Sequence, residues 1–188
     1  NGQGCLIRTI DEKETIIPVE VYSGVDPASS LSARADYFVI ATIGVDHENN
    51  KYVIDITRER LTPSKQPGLI IDKYMKYKPR RMKIETTGYQ EALRVGVRDI
   101  MKEKGLYIPG LEKGVKPRNR KSERLLSMIP MFARKQFYFR PEDIKPQQEF
   151  LSYPRGKHDD VMDAIWTALE GAKPCRIKEY SENPDKKR

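Results

Sequence analysis

The chain has 188 residues, enough for one domain with a buried core, and 38% of them are hydrophobic, which argues against general disorder. Its 35 basic and 27 acidic residues give a net charge of +8 and a pI near 9.4, a balance that favours an anionic partner such as nucleic acid. No apolar run approaches the roughly 20 residues that a membrane span needs, so we expect no membrane partner.

The two ends of the chain carry few structural signals. Cys5 and Cys175 lie far apart in sequence without CxxC spacing, and we expect two reduced thiols in a cytosolic protein. The polar, proline-containing end predicts a flexible tail at 179–188, after a single domain at 1–178. Because the chain begins without an initiator Met, we expect it to be an excised piece of a longer protein.

The first half of the chain is typical of an antiparallel meander of three strands. Val19 to Asp26 alternates in polarity, Tyr37 to Val45 is strongly apolar, and Tyr52 to Thr57 returns after a turn at Asp46 to Asn50. Later segments predict helices at 68–77, 89–104, 122–132, 146–153 and 159–171, with short strands at 82–86 and 136–139. This order predicts an α/β fold with a mixed β-sheet flanked by helices on both faces.

Acidic residues stand at three element ends that such a fold could bring together. Asp26 ends the first strand, Glu85 lies near the end of the fourth, and Asp159, Asp160 and Asp163 occupy the opening turns of the last helix. Spacing places Asp160 and Asp163 on one helix face. Acids at this density repel one another unless a cation neutralises them, and carboxylate oxygens suit divalent ions such as Mg²⁺. In a basic protein, the cluster predicts a divalent metal acting on a phosphate polymer.

Each acidic position also has a structural alternative that the sequence leaves open. Asp26 precedes a proline and suits an Asx-type turn, whereas Glu85 suits an exposed strand face. Asp159 suits a helix N-cap. His158 could act as a metal ligand, as a general base or as a residue that orients the acids, or it could have only a packing and hydrogen-bonding role. We place His158 and Asp159 beside the ligand acids rather than among them.

Two basic runs are candidates for binding phosphates. They are Lys73, Lys76, Lys78, Arg80, Arg81 and Lys83, and then Lys113, Lys116, Arg118, Arg120, Lys121 and Arg124. Either run could be a solvated surface, but the second interleaves Gly and Pro and is typical of a loop that follows a phosphate backbone. The sequence contains no GxxxxGK[ST] phosphate loop, no nucleophile elbow and no zinc-type Cys/His cluster.

Together these segments, from about Val21 to Ala168, resemble the nuclease domain of viral DNA-packaging terminase large subunits. Val-Asp-Pro-Ala and the apolar hairpin after it resemble the first acid motif of that family, and Ile-Glu-Thr-Thr-Gly-Tyr-Gln resembles the second. Lys-Ser-Glu-Arg, followed by a helix and Phe-Tyr-Phe, is similar to the basic segment and late strand. The most specific segment is Phe-Leu-Ser-Tyr-Pro-Arg-Gly-Lys-His-Asp-Asp-Val-Met-Asp-Ala.

The resemblance implies a ribonuclease H-like fold and metal-dependent endonucleolytic cutting of double-stranded DNA. By motif, the metal-binding catalytic acids would be Asp26, Glu85 and Asp160, with Asp163 as a fourth, holding two Mg²⁺ or Mn²⁺ ions. Some relatives carry Asp at the second motif, so the role of Glu85 would depend on its longer reach. Arg118, Arg120, Lys121 and Arg124 would contact DNA.

The resemblance also implies partners and a place of action. The partners would be the N-terminal packaging ATPase domain of the same subunit, the portal of the procapsid and the small terminase subunit, in the host cell cytoplasm. No base-reading helix is evident, so we expect nearly sequence-independent cutting of concatemeric DNA. Two alternatives stay open: another ribonuclease H-like nuclease, such as a junction resolvase or transposase core, and a non-catalytic module for DNA binding or motor docking.

Overall fold

The computed structural model of this chain describes residues 2–10, 13–27, 37–85, 90–111, 121–156 and 158–176. Within them there are six strands and six helices, and the first four strands precede all the helices. The strands are β1 (Gln3–Ile10), β2 (Lys13–Asp26), β3 (Phe38–Val45), β4 (Lys51–Glu59), β5 (Arg81–Ile84) and β6 (Phe137–Tyr138). The helices are α1 (Gln66–Tyr77), α2 (Gln90–Glu103), α3 (Lys121–Leu126), α4 (Ile129–Ala133), α5 (Ile144–Ser152) and α6 (Asp160–Leu169).

All six strands form one mixed sheet. The path β1-β2-β3-β4 is antiparallel, β6 adds to β4 in parallel, and β5 pairs in parallel with the last part of β2. The predicted meander and the predicted mixed α/β architecture are therefore confirmed. One hairpin was not predicted: β2 begins at Lys13 rather than near Val19, and its first residues pair with β1. That half of β2 is mostly exposed, so it lacks the apolar alternation of a strand with one buried face.

Strand β3 lies at the centre of the core and is buried along its whole length. Because side chains alternate between faces, Phe38 and Ile40 join the core under α1 and α2, whereas Val39 and Ala41 join the core under α6. The sheet is thus covered by helices on both faces. No helix in the described ranges is long and apolar enough to cross a membrane.

Helix α6 packs unusually closely on β2 at Gly24. A Cβ atom at that position would overlap main-chain atoms of Ala164 and Ala168 in the helix. Only glycine lets the two backbones approach this far. The contact places the start of α6, with its acids, at the end of β2.

Candidate functional site

Two of the predicted acids are brought together by neighbouring parallel strands. Asp26 is the last residue of β2, and Glu85 directly follows β5. The register pairs Val25 with Ile84, and the Glu85 N–H donates to the Val25 carbonyl at 3.3 Å. Adjacent strands lie about 4.8 Å apart, so Asp26 and Glu85 stand side by side at one sheet edge.

Helix α6, which packs on one face of the sheet, adds its acids to this group. Asp160 and Asp163 lie in the first turn of α6 and are each 5% exposed, and Glu85 is 8% exposed. The exposed-face alternative for Glu85 is therefore wrong. Asp26 is half-buried and pairs with Val39 within the sheet, so it is the last residue of a strand. The following residues that an Asx turn would involve, from 28 onwards, lie outside the described residues.

Arg124, expected on a DNA-binding surface, lies inside this group of acids. Its guanidinium Nη1 is 3.0 Å from Glu85 Oε2, and its Nη2 is 3.5 Å from Asp163 Oδ1. The same group lies 4.8 Å from the ring centroid of Trp166. Because the residue is only 5% exposed, it neutralises two of the acids instead of facing solvent.

A second arginine, which the sequence did not single out, holds the other acid of α6. Arg58 Nη2 lies 3.9 Å from Asp160 Oδ2 and 3.7 Å from Glu149 Oε2. His158 Nδ1 is 3.6 Å from Asp160 Oδ2, so this histidine lies beside one of the acids predicted to bind metal. A usable sequence signal existed for Arg58, since it follows Ile56 by two residues and so shares its sheet face.

The N-terminus of α6 is capped from another helix. Glu149 in α5 accepts hydrogen bonds through Oε1 from the Val161 N–H at 2.8 Å and the Met162 N–H at 3.2 Å. Burial raises the pKa of Glu149, against the lowering effect of these hydrogen bonds and of Arg58. Asp159 occupies the N-cap position, but its side chain makes no capping hydrogen bond. The predicted N-cap position of Asp159 is therefore confirmed, but the capping hydrogen bonds are made by Glu149 instead.

Several members of the basic runs form ion pairs, and others lie outside the described residues. In the first run, Lys73 pairs with Asp55 at 2.8 Å and Lys83 with Glu170 at 2.6 Å. Arg80 similarly pairs with Glu20 at 3.0 Å. Of the expected DNA contacts, Arg118 and Arg120 lie outside the described residues, and so does the side chain of Lys121.

The charge and chemistry of this group fit a divalent cation. Four buried carboxylates, on Glu85, Glu149, Asp160 and Asp163, face two guanidinium groups, on Arg58 and Arg124. Uncompensated buried charge is costly, and hard oxygen donors are the ligands that Mg²⁺ and Mn²⁺ prefer. Within the described ranges, no three acidic, histidine or cysteine side chains already converge as a ready ligand set.

The chain is similar in sequence to a known family and in fold to known structures. A family model described as a terminase RNaseH-like domain matches residues 23–171, which includes every acid of the group. The fold is similar to the large terminase nuclease of the thermophilic phage G20c, with a TM-score of 0.58, 17% identity, and coverage of 82% of this chain and 83% of that one.

Two further structures share the fold. A magnesium-bound structure of the G20c nuclease gives a TM-score of 0.59 at 18% identity, with 82% of both chains covered. The P22 large terminase nuclease domain gives 0.58 at 14% identity, with 78% of both chains covered. No curated protein matches the chain. The family match spans most of the chain, and the chain therefore belongs to the family of terminase RNaseH-like domains.

Proposed function

We propose that this chain is a divalent-metal-dependent endonuclease that cuts concatemeric double-stranded viral DNA during genome packaging. The observation that carries the proposal is the surplus of buried carboxylate at the end of β2, where α6 meets the sheet. Membership of the terminase family supports a nuclease, and the G20c nuclease, which has a similar fold, was solved with bound magnesium, zinc and cobalt.

In this proposal Asp26, Glu85, Asp160 and Asp163 hold two Mg²⁺ or Mn²⁺ ions. Bound there, the ions would supply a nucleophilic water at neutral pH and neutralise the charge of the leaving oxygen. The chain's own residues fix the acids: the β2–β5 pairing sets Asp26 beside Glu85, and Gly24 lets α6 bring the other two acids close. Products would carry 5′-phosphate and 3′-hydroxyl ends.

DNA binding in this proposal is largely independent of sequence. We base the proposed phosphate contacts of Arg118, Arg120 and Lys121 on the sequence alone. Such contacts would position the duplex without reading its bases. The remaining partners are also proposals: the packaging ATPase domain of the same subunit, the procapsid portal and the small terminase subunit, in the host cytoplasm.

The test is cleavage of supercoiled plasmid by the purified chain. We expect nicking and linearisation with Mg²⁺ or Mn²⁺, no need for ATP, and complete inhibition by EDTA. Asp160→Asn should reduce the rate by more than about 100-fold, since even outer-shell changes at metal sites cost about 10–100-fold. Asp72→Asn, an exposed carboxylate in α1, is the matched control and should cut at the wild-type rate.

Three outcomes would contradict the proposal. Cleavage that survives EDTA would exclude the metal mechanism. DNA binding without any cleavage in Mn²⁺ would favour the non-catalytic module, and a strong preference for branched over linear DNA would favour a junction resolvase.

A further inference from the structure

A group of aromatic and cationic side chains lies at the rim of the acids, on the side of β4. The guanidinium carbon of Arg58 is 4.0 Å from the ring centroid of Tyr37, and that of Arg60 is 4.8 Å from the same centroid. His158 meets this ring edge-on, with ring centroids 5.3 Å apart. We refer to Tyr37, Arg58, Arg60 and His158 as the Tyr37 cluster.

The two arginines of the Tyr37 cluster differ in what neutralises them. Arg58 lies near Glu149 and Asp160, so its charge is compensated within the protein. Arg60 is exposed, and no carboxylate among the described residues forms an ion pair with it. Stacking on an aromatic ring orients a guanidinium while leaving its N–H donors free for an anion. Arg60 therefore presents to solvent an oriented positive charge that no carboxylate of the described residues neutralises.

Sheet register places this charge beside the acids. Asp26 pairs with Val39 in β3, and Val39 pairs with Arg58 in β4, so the three residues form a row across the sheet. Two strand spacings separate Asp26 from Arg58 by roughly 10 Å. Arg60 lies just beyond the end of β4, two residues further. An anion bound by Arg60 would lie next to the acids rather than on them.

We propose that Arg60 binds a phosphate of the DNA strand adjacent to the phosphate being cut, and that Tyr37 positions Arg60 for this contact. The inference rests on the proposed function for the identity of the strand. It places part of the DNA on the β4 side of the acids, where the Tyr37 cluster lies. It assigns to Arg60 a role that the long basic runs of the sequence did not indicate.

The test measures binding separately from cutting. Affinity for a short fluorescein-labelled duplex is followed by anisotropy over a range of salt concentrations, with Ca²⁺ in place of the catalytic ions. Arg60→Ala should weaken binding about tenfold, as expected for a charge-assisted hydrogen bond. It should also lower the slope of log affinity against log salt by about 0.9, the loss of one phosphate contact. Arg60→Lys should retain the slope because it retains the charge.

The matched control is Arg134→Ala. Arg134 is exposed and lies near Lys51, at the opposite end of β4, so its removal changes the net charge equally without touching the Tyr37 cluster. This control should keep both the affinity and the slope. If Arg60→Ala and Arg134→Ala give the same slope, the Arg60 contact is excluded, whether or not the wild type cuts plasmid. If the slope falls only for Arg60→Ala but the wild type never cuts, the contact stands and the proposed function fails.

The positioning role of Tyr37 has its own readout. Tyr37→Phe keeps the ring and should bind like the wild type, whereas Tyr37→Leu should weaken binding. If Tyr37 acts through Arg60, adding Arg60→Ala to Tyr37→Leu should cost less than Arg60→Ala alone. Full additivity of the two changes would remove Tyr37 from the proposal.

Discussion

The acids at the end of β2 have two sides, and each side is held by an arginine in a different setting. On one side Arg124 is buried against Glu85, Asp163 and the Trp166 ring, and its side chain is 6% exposed. On the other side the Arg58 side chain is 20% exposed and is stacked on Tyr37. The difference teaches that Arg124 belongs to a closed, internal side of the group, whereas Arg58 lies on a side that is partly open to solvent.

The first prediction concerns how much Arg124 and Arg58 each contribute to the free energy of unfolding. Arg124→Ala should lower the free energy of unfolding by about 3–5 kcal/mol, because it leaves buried carboxylates without their partner. Arg58→Ala should cost only about 1 kcal/mol, since the pair is partly exposed to solvent. Urea denaturation of both variants measures the difference. Where Arg124→Ala is too unstable to purify, Arg124→Lys keeps the charge and should fall between the two.

Metal binding sharpens this comparison. Mg²⁺ should stabilise Arg124→Ala or Arg124→Lys more than the wild type, because the ion replaces a charge that the arginine supplied. Equal losses for the Arg124 and Arg58 variants would refute the distinction between a closed and an open side.

The second prediction concerns the close packing of α6 on β2 at Gly24. Gly24→Ala should destabilise the protein by about 1–3 kcal/mol, because the added methyl group overlaps the α6 backbone. It should also reduce metal-dependent cutting, since α6 carries Asp160 and Asp163. Gly68→Ala in α1 is the control, as a Cβ there would meet no atom within 4 Å. That change should be neutral or stabilise the helix by about 0.5–1 kcal/mol. Thermal unfolding of the two variants decides the point.

The smallest of the three effects concerns pH on the open side. Burial raises the pKa of Glu149, so the folded state holds its proton more tightly than the unfolded state does. The stability that this group contributes is present below its unfolded pKa, about 4.3, and is lost as pH rises through the folded value. Glu149→Gln keeps an oxygen to accept from Val161 and Met162 but does not titrate. The variant should therefore gain stability relative to the wild type as pH rises from about 4 towards neutrality.

Denaturant unfolding at several pH values tests this sign. Asp159→Asn is the control, because it changes an acid at the same helix end while leaving Glu149 in place. It should keep the wild-type pH profile. A stability difference between Glu149→Gln and the wild type that stays constant with pH would contradict the assignment.

Much of the fold could be predicted from local patterns. Strand β3 is buried on both faces, and its apolar run was recognisable as a strand. Helix α6 was recognisable from its apolar stripe and its acid-rich start. The β1–β2 hairpin could not be predicted, because its residues are mostly exposed and lack a buried face that would impose alternation. Hydrophobic periodicity arises where one face of an element is buried, so exposed elements are hard to recognise from the sequence.

The sequence indicated the acids of the candidate site but not the residues that form ion pairs and hydrogen bonds around them. Asp26, Glu85, Asp160 and Asp163 stand at element ends, where topology alone brings them near each other. The partners come from packing between residues distant in sequence: Arg124 and Glu85 are 39 positions apart. Glu149 and Val161 are 12 positions apart and belong to different helices. A basic residue in a basic run gives no sign that it turns inward, so Arg124 was assigned to the surface.

The backbone contact at Gly24 has a practical consequence for studying this site. Because main chain meets main chain there, the placement of α6 does not depend on any one acidic side chain. Each carboxylate can then be replaced by its amide while the scaffold and the remaining acids stay where they are. Calorimetric titration of such single replacements would separate the share of each oxygen donor in ion affinity. Uncut DNA bound to the same variants would give a stable complex for crystallography.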